Sequence, residues 1–122
     1  MPKEVLIVED EPDEARSMQM VLEDAGFKTK IAGTVDEAMS QITKKKPDVI
    51  VLDIILPMKL GNKLLEDMKN KNMKVPVVVA TAIAKSLTTI EKDLKKINKD
   101  ISFIEKPFEA KKLVSEVKKK LK

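Results

Sequence analysis

The chain alternates short apolar runs with longer stretches in which apolar residues recur at every third or fourth position. The short runs are rich in β-branched residues, which is typical of buried strands. They are Val5–Val8, Val49–Leu52, Val77–Ala80 and Ile101–Ile104, and Phe27–Ala32 is a weaker, alternating strand. The stretches that follow them have the period of amphipathic helices. The pattern therefore predicts five strands, each followed by a helix.

Local signals support the positions of these helices. Pro12 suits a first helical turn, and Gly26 stands where a glycine often ends a helix. Thr34, with Glu37 three residues later, matches a capping box. The predicted fourth helix rests on the spacing of Leu87, Ile90, Leu94 and Ile97.

Strands that are apolar on both faces and separated by helices predict a parallel sheet covered on both sides. The expected fold class is α/β, a doubly wound (βα)5 sheet in a single domain over residues 1–122. The lysines of Phe27–Ala32 indicate an edge strand. Ligands of such sheets bind at the carboxyl ends of the strands.

Composition excludes several kinds of chemistry. The 122 residues contain no Cys and no His, which excludes disulfides, thiolate sites and imidazole bases. Any metal must be held by oxygen, which favours Mg²⁺. Aromatic residues make up only 2%, too few for stacking on single-stranded nucleic acid. No apolar run is long enough to span a membrane, and the N-terminus lacks a signal-peptide pattern, so a cytoplasmic location is expected.

Charged and polar side chains follow the strands at the edge where ligands are expected. Three carboxylates follow the first strand, and Asp53, Thr81 and Lys106 follow the third, fourth and fifth. Two carboxylates about 4 Å apart repel by roughly 4 kcal/mol at an effective dielectric constant near 20. Either one carboxylate stays protonated or a cation neutralises the group, and Mg²⁺ suits a site of oxygen ligands. A carboxylate beside it can accept a phosphoryl group, with the hydroxyl and the ammonium as donors to the phosphoryl oxygens.

Four segments at these strand ends resemble the receiver domain of two-component response regulators, including the stand-alone, CheY-like type. They are VLIVEDE at Val5–Glu11, DIILPMKLG at Asp53–Gly61, VVVATA at Val77–Ala82 and FIEKPF at Phe103–Phe108. The resemblance covers essentially the whole chain. It implies a flavodoxin-like sheet with strand order 2-1-3-4-5.

The resemblance also implies roles for single residues. Asp53 would be the phosphoacceptor and a metal ligand, and Asp10 would bind Mg²⁺ directly. Glu9 would support the metal, usually through water, although the family often has Asp at that position. The main-chain carbonyl of Ile55 would complete the protein's share of the metal ligands.

The phosphoryl group itself would be bound by Thr81 and Lys106. Thr81 and Phe103 would form the switch, in which Phe103 reports the state only through its burial because it has no hydroxyl. The Lys106–Pro107 bond resembles one that is cis in this family. Ile55 and Ile83 flank the pocket where the family often has polar residues, so we expect slow loss of the phosphoryl group.

The implied function is a phosphoacceptor switch that assists its own phosphorylation and slow dephosphorylation but is not an enzyme. The expected donor is a sensor histidine kinase or a phosphotransfer protein. The expected output is a protein bound by the face of the fourth helix, fifth strand and fifth helix, with the chain a monomer or a phosphorylation-dependent dimer. A nucleotide-binding domain is disfavoured because the acidic first loop would repel phosphate.

One alternative remains open from the charge distribution. Residues 1–61 carry 8 basic and 12 acidic side chains, whereas residues 62–122 carry 16 basic and 8 acidic side chains. The lysine-rich C-terminal face could therefore bind an acidic protein independently of phosphorylation. Nucleic acid and membrane surfaces are not predicted partners, because a solvated lysine-rich face explains the charge more simply.

Overall fold

The computed structural model describes residues 2–54, 59–81, 95–96, 101–106 and 109–121. These ranges contain five strands and four helices. In chain order they are β1 (Glu4–Val8), α1 (Pro12–Asp24), β2 (Lys28–Ala32), α2 (Val35–Lys44), β3 (Val49–Ile54), α3 (Lys59–Asn70), β4 (Val77–Thr81), β5 (Ile101–Glu105) and α4 (Ala110–Lys120). The helix predicted through Leu87 and Ile97 lies, apart from residues 95–96, outside the described residues.

The five strands form one parallel sheet in the order β2-β1-β3-β4-β5, which confirms the expected fold class and strand order. Val8 at the end of β1 is in register with Ala32 of β2 and Leu52 of β3. From β1 the chain continues to β2 on one side of β1, and β3 then lies on the other side of β1. This reversal leaves a crevice at the carboxyl ends of β1 and β3.

The side chains of each strand alternate between two apolar layers, one on each face of the sheet. Leu6 and Val8 pack with α2 and α3, whereas Val5 and Ile7 pack with α1 and α4. Lys28 and Lys30 of β2 are exposed, as expected for an edge strand. Burial on both faces explains why the central strands lack the polar alternation of half-exposed strands.

Capping residues fix the loops that lead into and out of the helices. The Thr34 hydroxyl accepts a hydrogen bond from the Glu37 backbone N–H at 3.1 Å. The Glu37 carboxylate accepts one from the Gly33 N–H at 2.9 Å, one residue earlier than in a standard capping box. Gly26 has φ +98°, a conformation that glycine adopts readily, and it follows Ala25, the C-cap residue of α1. These contacts confirm the predicted helix boundaries.

The described helices are short. The longest, α1, has 13 residues. Across the described ranges, no helix combines the length and the apolar character that crossing a bilayer requires.

Candidate functional site

Three charged residues are brought to one edge of the sheet by neighbouring strands. Glu9 directly follows β1, and its backbone N–H continues the ladder by donating to the Ala32 carbonyl at 3.0 Å. Asp53 lies inside β3, in register with Ala80, so this strand is longer than the apolar run predicted. Lys106 directly follows β5. Because the strands are parallel, their carboxyl ends meet at the same place.

The Lys106 ammonium is the centre of this group. Its Nζ lies 2.7 Å from Asp53 Oδ1 and 3.7 Å from Glu9 Oε2. It also donates a hydrogen bond to Glu14 Oε2 at 3.0 Å. The Lys106 side chain is 17% exposed, so these charges interact through a partly desolvated space. The contacts confirm that the strand ends bring the predicted ammonium and carboxylates together.

The carboxylates of Glu9, Asp10 and Asp53 form the candidate metal site. One oxygen from each lies within 4.8 Å of the others. The side chains of Glu9 and Asp53 are almost fully buried, whereas Asp10 is exposed. Apart from the Lys106 ammonium 2.7 Å from Asp53 Oδ1, Glu9 Oε2 and the two Asp53 carboxylate oxygens have no hydrogen-bond partner among the described residues. Buried carboxylate oxygens without such partners suit a hard cation such as Mg²⁺.

The crowding of charge changes how these groups ionise. Burial raises the pKa of Glu9 to about 9, and the neighbouring Asp53 carboxylate adds to the increase. Burial alone would lower the pKa of Lys106, but its contacts with Asp53 and Glu14 outweigh burial and raise that pKa. The hydrogen bond from Lys106 lowers the pKa of Glu14. At neutral pH the metal-free site therefore keeps a proton on Glu9 and a positive charge on Lys106.

The raised pKa of Glu9 predicts how the stability of the metal-free protein depends on pH. The folded state keeps a proton that the unfolded chain releases near pH 4.5. The free energy of unfolding should therefore fall as the pH rises from 4.5 to about 9, by at most about 1.4 kcal/mol per pH unit. We expect Glu9→Gln to flatten this dependence, because glutamine has no proton to lose. Denaturant unfolding with a chelator, between about pH 5 and pH 9, measures the slope.

The other shifted groups do not act in that pH window. The lowered pKa of Glu14 affects stability below the ordinary glutamate value of 4.5, and the raised pKa of Lys106 affects stability above the ordinary lysine value of 10.5. Glu11→Gln, at an exposed position beside the site, is the matched control and should keep the wild-type slope. An equal slope in wild type and Glu9→Gln would contradict the prediction.

The remaining predicted site residues are placed only in part. Phe103 lies in β5, half-buried against the core layer of α2 and α3. The backbone of Thr81 ends β4 in register with Glu105, but its side chain lies outside what the structure describes. Ile55, Ile83 and Pro107 lie outside the described residues. The main-chain metal ligand at Ile55, the slow loss of the phosphoryl group and the cis bond before Pro107 therefore stay predictions.

Two acidic residues near the site differ from the sequence interpretation. The Glu11 carboxylate accepts a hydrogen bond from the Asp13 N–H at 3.3 Å and begins α1, outside the carboxylate cluster. Glu14, which the sequence interpretation missed, reaches Lys106 from the first turn of α1. The sequence signal that could have indicated this contact was the position of Glu14 in the helix that begins beside this edge of the sheet. An acidic residue in a first turn is otherwise explained by the helix dipole.

Comparison with known proteins identifies the family. Residues 5–118 match the family model of the response regulator receiver domain. The chain is 32% identical over 120 residues to the phosphate regulon transcriptional regulatory protein PhoB of Escherichia coli, covering 97% of this chain. It is 29% identical over 121 residues to the DNA-binding response regulator MtrA of Mycolicibacterium smegmatis, covering 99% of this chain. The chain spans 51% of the length of each of these relatives.

The fold agrees with solved structures of the same family. The CheY-like response regulator receiver domain protein of Methanospirillum hungatei is similar at a TM-score of 0.82 and 27% identity, with 99% of this chain and 94% of that chain covered. The receiver domain of NtrX from Brucella abortus gives a TM-score of 0.83 at 28% identity, with 96% and 97% covered. These matches extend over the strand ends that carry the site. The chain belongs to the family of response regulator receiver domains.

Proposed function

We propose that this receiver domain accepts a phosphoryl group on Asp53 from the phosphohistidine of a sensor kinase or a phosphotransfer protein. The observation that carries the proposal is the Asp53 carboxylate, which is buried, lies 2.7 Å from the Lys106 ammonium and groups with the carboxylates of Glu9 and Asp10. A nucleophile in this position has a cation beside it. The chain would act as a signalling switch and not as an enzyme with a separate substrate.

The carboxylate cluster fits Mg²⁺ as the cofactor of this reaction. Glu9, Asp10 and Asp53 would hold the ion, and the carbonyl of Ile55 is a further ligand proposed from the family resemblance. When bound, Mg²⁺ would neutralise these carboxylates and the oxygens of the transferred group. The three carboxylates and one ammonium leave an excess of negative charge for the ion to offset.

In the proposed transfer, an Asp53 oxygen attacks the phosphorus of the donor. The new oxygen–phosphorus bond forms as the nitrogen–phosphorus bond to the donor imidazole breaks, and the imidazole keeps the electron pair. Lys106 would stabilise the equatorial phosphoryl oxygens, because its raised pKa keeps it cationic at neutral pH. Thr81, at the end of the neighbouring β4, would donate a second hydrogen bond.

The output would be a change in the surface around β5 and α4. Phe103 lies half-buried in β5, and we expect it to become more buried when Thr81 moves toward the phosphoryl group. Helix α4 presents exposed lysines beside this strand, and two of them pair with Glu116 at 3.1 and 3.4 Å. The same proposal includes an acidic protein partner at this face and phosphorylation-dependent dimerisation. It also includes a cytoplasmic location and a single domain over residues 1–122. No comparison supports the alternative of an interaction module that works without phosphorylation.

The test is intact-mass spectrometry after incubation with acetyl phosphate, with and without Mg²⁺. We expect wild type to gain a single phosphoryl group only with Mg²⁺, and Asp53→Asn to gain none because an amide is not a nucleophile at this site. Asp48→Asn, at an exposed carboxylate before β3, is the matched control and should behave as wild type. An adduct of equal yield on Asp53→Asn would refute the proposal.

A further inference from the structure

Glu14 makes a contact that the proposed phosphoryl transfer does not use. Its Oε2 accepts a hydrogen bond from the Lys106 Nζ at 3.0 Å, across 92 positions of sequence. The ammonium also lies 2.7 Å from Asp53 Oδ1, so its donors are shared between Asp53 and Glu14. Of these two partners, Glu14 is the one outside the candidate metal site, and its contact holds the ammonium toward α1.

We propose that Glu14 is a positioning residue that restrains Lys106 before transfer and thereby slows phosphorylation of Asp53. The inference rests on the proposed role of Asp53 as the phosphoacceptor. A lysine ammonium has three donors on a flexible stem, so its direction is set by the acceptors around it. Glu14 and an incoming phosphoryl group compete for the same donors.

The expected size of the effect of Glu14 on the rate of phosphorylation follows from the exposure of the Glu14 side chain. The Glu14 side chain is 52% exposed, so its ion pair with Lys106 is screened by water and salt. We therefore expect a change of roughly twofold to fivefold in rate, the scale of an exposed ion pair. Glutamine at position 14 keeps the length of the side chain and removes its charge. Lys106 stays near the site in that variant, because Asp53 and Glu9 still attract it.

The test compares the initial rates at which wild type and Glu14→Gln gain a phosphoryl group from acetyl phosphate, at saturating Mg²⁺ and equal ionic strength. In this reaction the Asp53 oxygen–phosphorus bond forms as the phosphorus–oxygen bond to acetate breaks, and acetate leaves with the electron pair. The matched control is Asp13→Asn, another exposed carboxylate in the first turn of α1. We expect Glu14→Gln to react two to five times faster than wild type, and Asp13→Asn to match wild type.

Two further measurements test how Glu14 acts: high salt shows whether the effect is electrostatic, and a Lys106→Met background shows whether it acts through the ammonium. Near 1 M salt, where the screening length is about 3 Å, the ratio of the Glu14→Gln rate to the wild-type rate should approach one. In a Lys106→Met background, Glu14→Gln should bring no acceleration, because the ammonium it restrains is absent. A merely structural role for Glu14 would change the melting temperature without producing this salt and background dependence.

Three results would overturn the inference. They are a Glu14→Gln rate at or below that of wild type, an equal acceleration in Asp13→Asn, and an acceleration that persists unchanged in high salt. Failure of the proposed function looks different, because wild type would then gain no phosphoryl group or Asp53→Asn would gain as much as wild type.

Discussion

Lys106→Met is expected to slow the phosphorylation of Asp53 about a hundredfold, the usual cost of removing one preorganised group that stabilises charge in a transition state. The Lys106 Nζ lies 2.7 Å from Asp53 Oδ1 and has little contact with water. Its charge therefore acts on the phosphoryl oxygens in a medium that screens it weakly. Methionine keeps most of the side-chain volume and removes the ammonium. Rates of adduct formation from acetyl phosphate at saturating Mg²⁺ measure the effect.

The control for Lys106→Met is Lys111→Met on α4. Lys111 is exposed, so this variant makes the same change of charge away from the site and should phosphorylate at the wild-type rate. Thermal unfolding in Mg²⁺ checks that Lys106→Met is folded, because the variant leaves the nearby carboxylates without their cation. A folded Lys106→Met protein that reacts at the wild-type rate would contradict the role assigned to the ammonium.

Asp10→Asn is expected to weaken Mg²⁺ binding by at least about tenfold, which corresponds to about 1.4 kcal/mol. One Asp10 oxygen lies within 4.8 Å of oxygens of Glu9 and Asp53, and Asp10 is the exposed member of the three. Removing a unit charge this close to a divalent cation loses more than that in Coulomb attraction at an effective dielectric constant near 20. Calorimetric titration of the metal-free protein with Mg²⁺ gives the affinity directly.

Asp13→Asn is the matched control for this titration, since it removes one exposed acidic charge from the first turn of α1. Its Mg²⁺ affinity should stay within about twofold of wild type, because screening limits the effect of an exposed charge outside the cluster. Equal weakening of Mg²⁺ binding in both variants would mean that the Mg²⁺ affinity depends on net charge alone. An unchanged affinity in Asp10→Asn would remove Asp10 from the metal site.

The strands were predictable because burial on both faces of a parallel sheet leaves continuous apolar runs in the sequence. The edge position of β2 followed from its lysines, which are exposed in the structure. The order of the five strands came from the family resemblance and not from the pattern. The end of β3 was predicted too early, because a strand normally avoids a buried carboxylate such as Asp53 and the apolar run stops before it.

The site was predictable to the extent that charged residues lie at or beside the carboxyl ends of β1, β3 and β5, and β4 ends at Thr81. The burial of Glu9 was not predictable, since a glutamate between a strand and a loop is usually exposed. In the structure Glu9 is only 2% exposed. The contact between Glu14 and Lys106 was not predictable either. It joins the beginning of α1 to the end of β5, and no local pattern links residues so far apart in sequence.

The central claim is that Asp53 itself carries the phosphoryl group, and the most direct measurement is to map the modified residue. Borohydride reduces an aspartyl phosphate to homoserine, so phosphorylated wild-type protein can be reduced, digested and sequenced by mass spectrometry. We predict homoserine at position 53 and unchanged aspartate or glutamate at the other acidic positions. Homoserine at Asp10, or a stable phosphate on a hydroxyl residue with position 53 unchanged, would contradict this account.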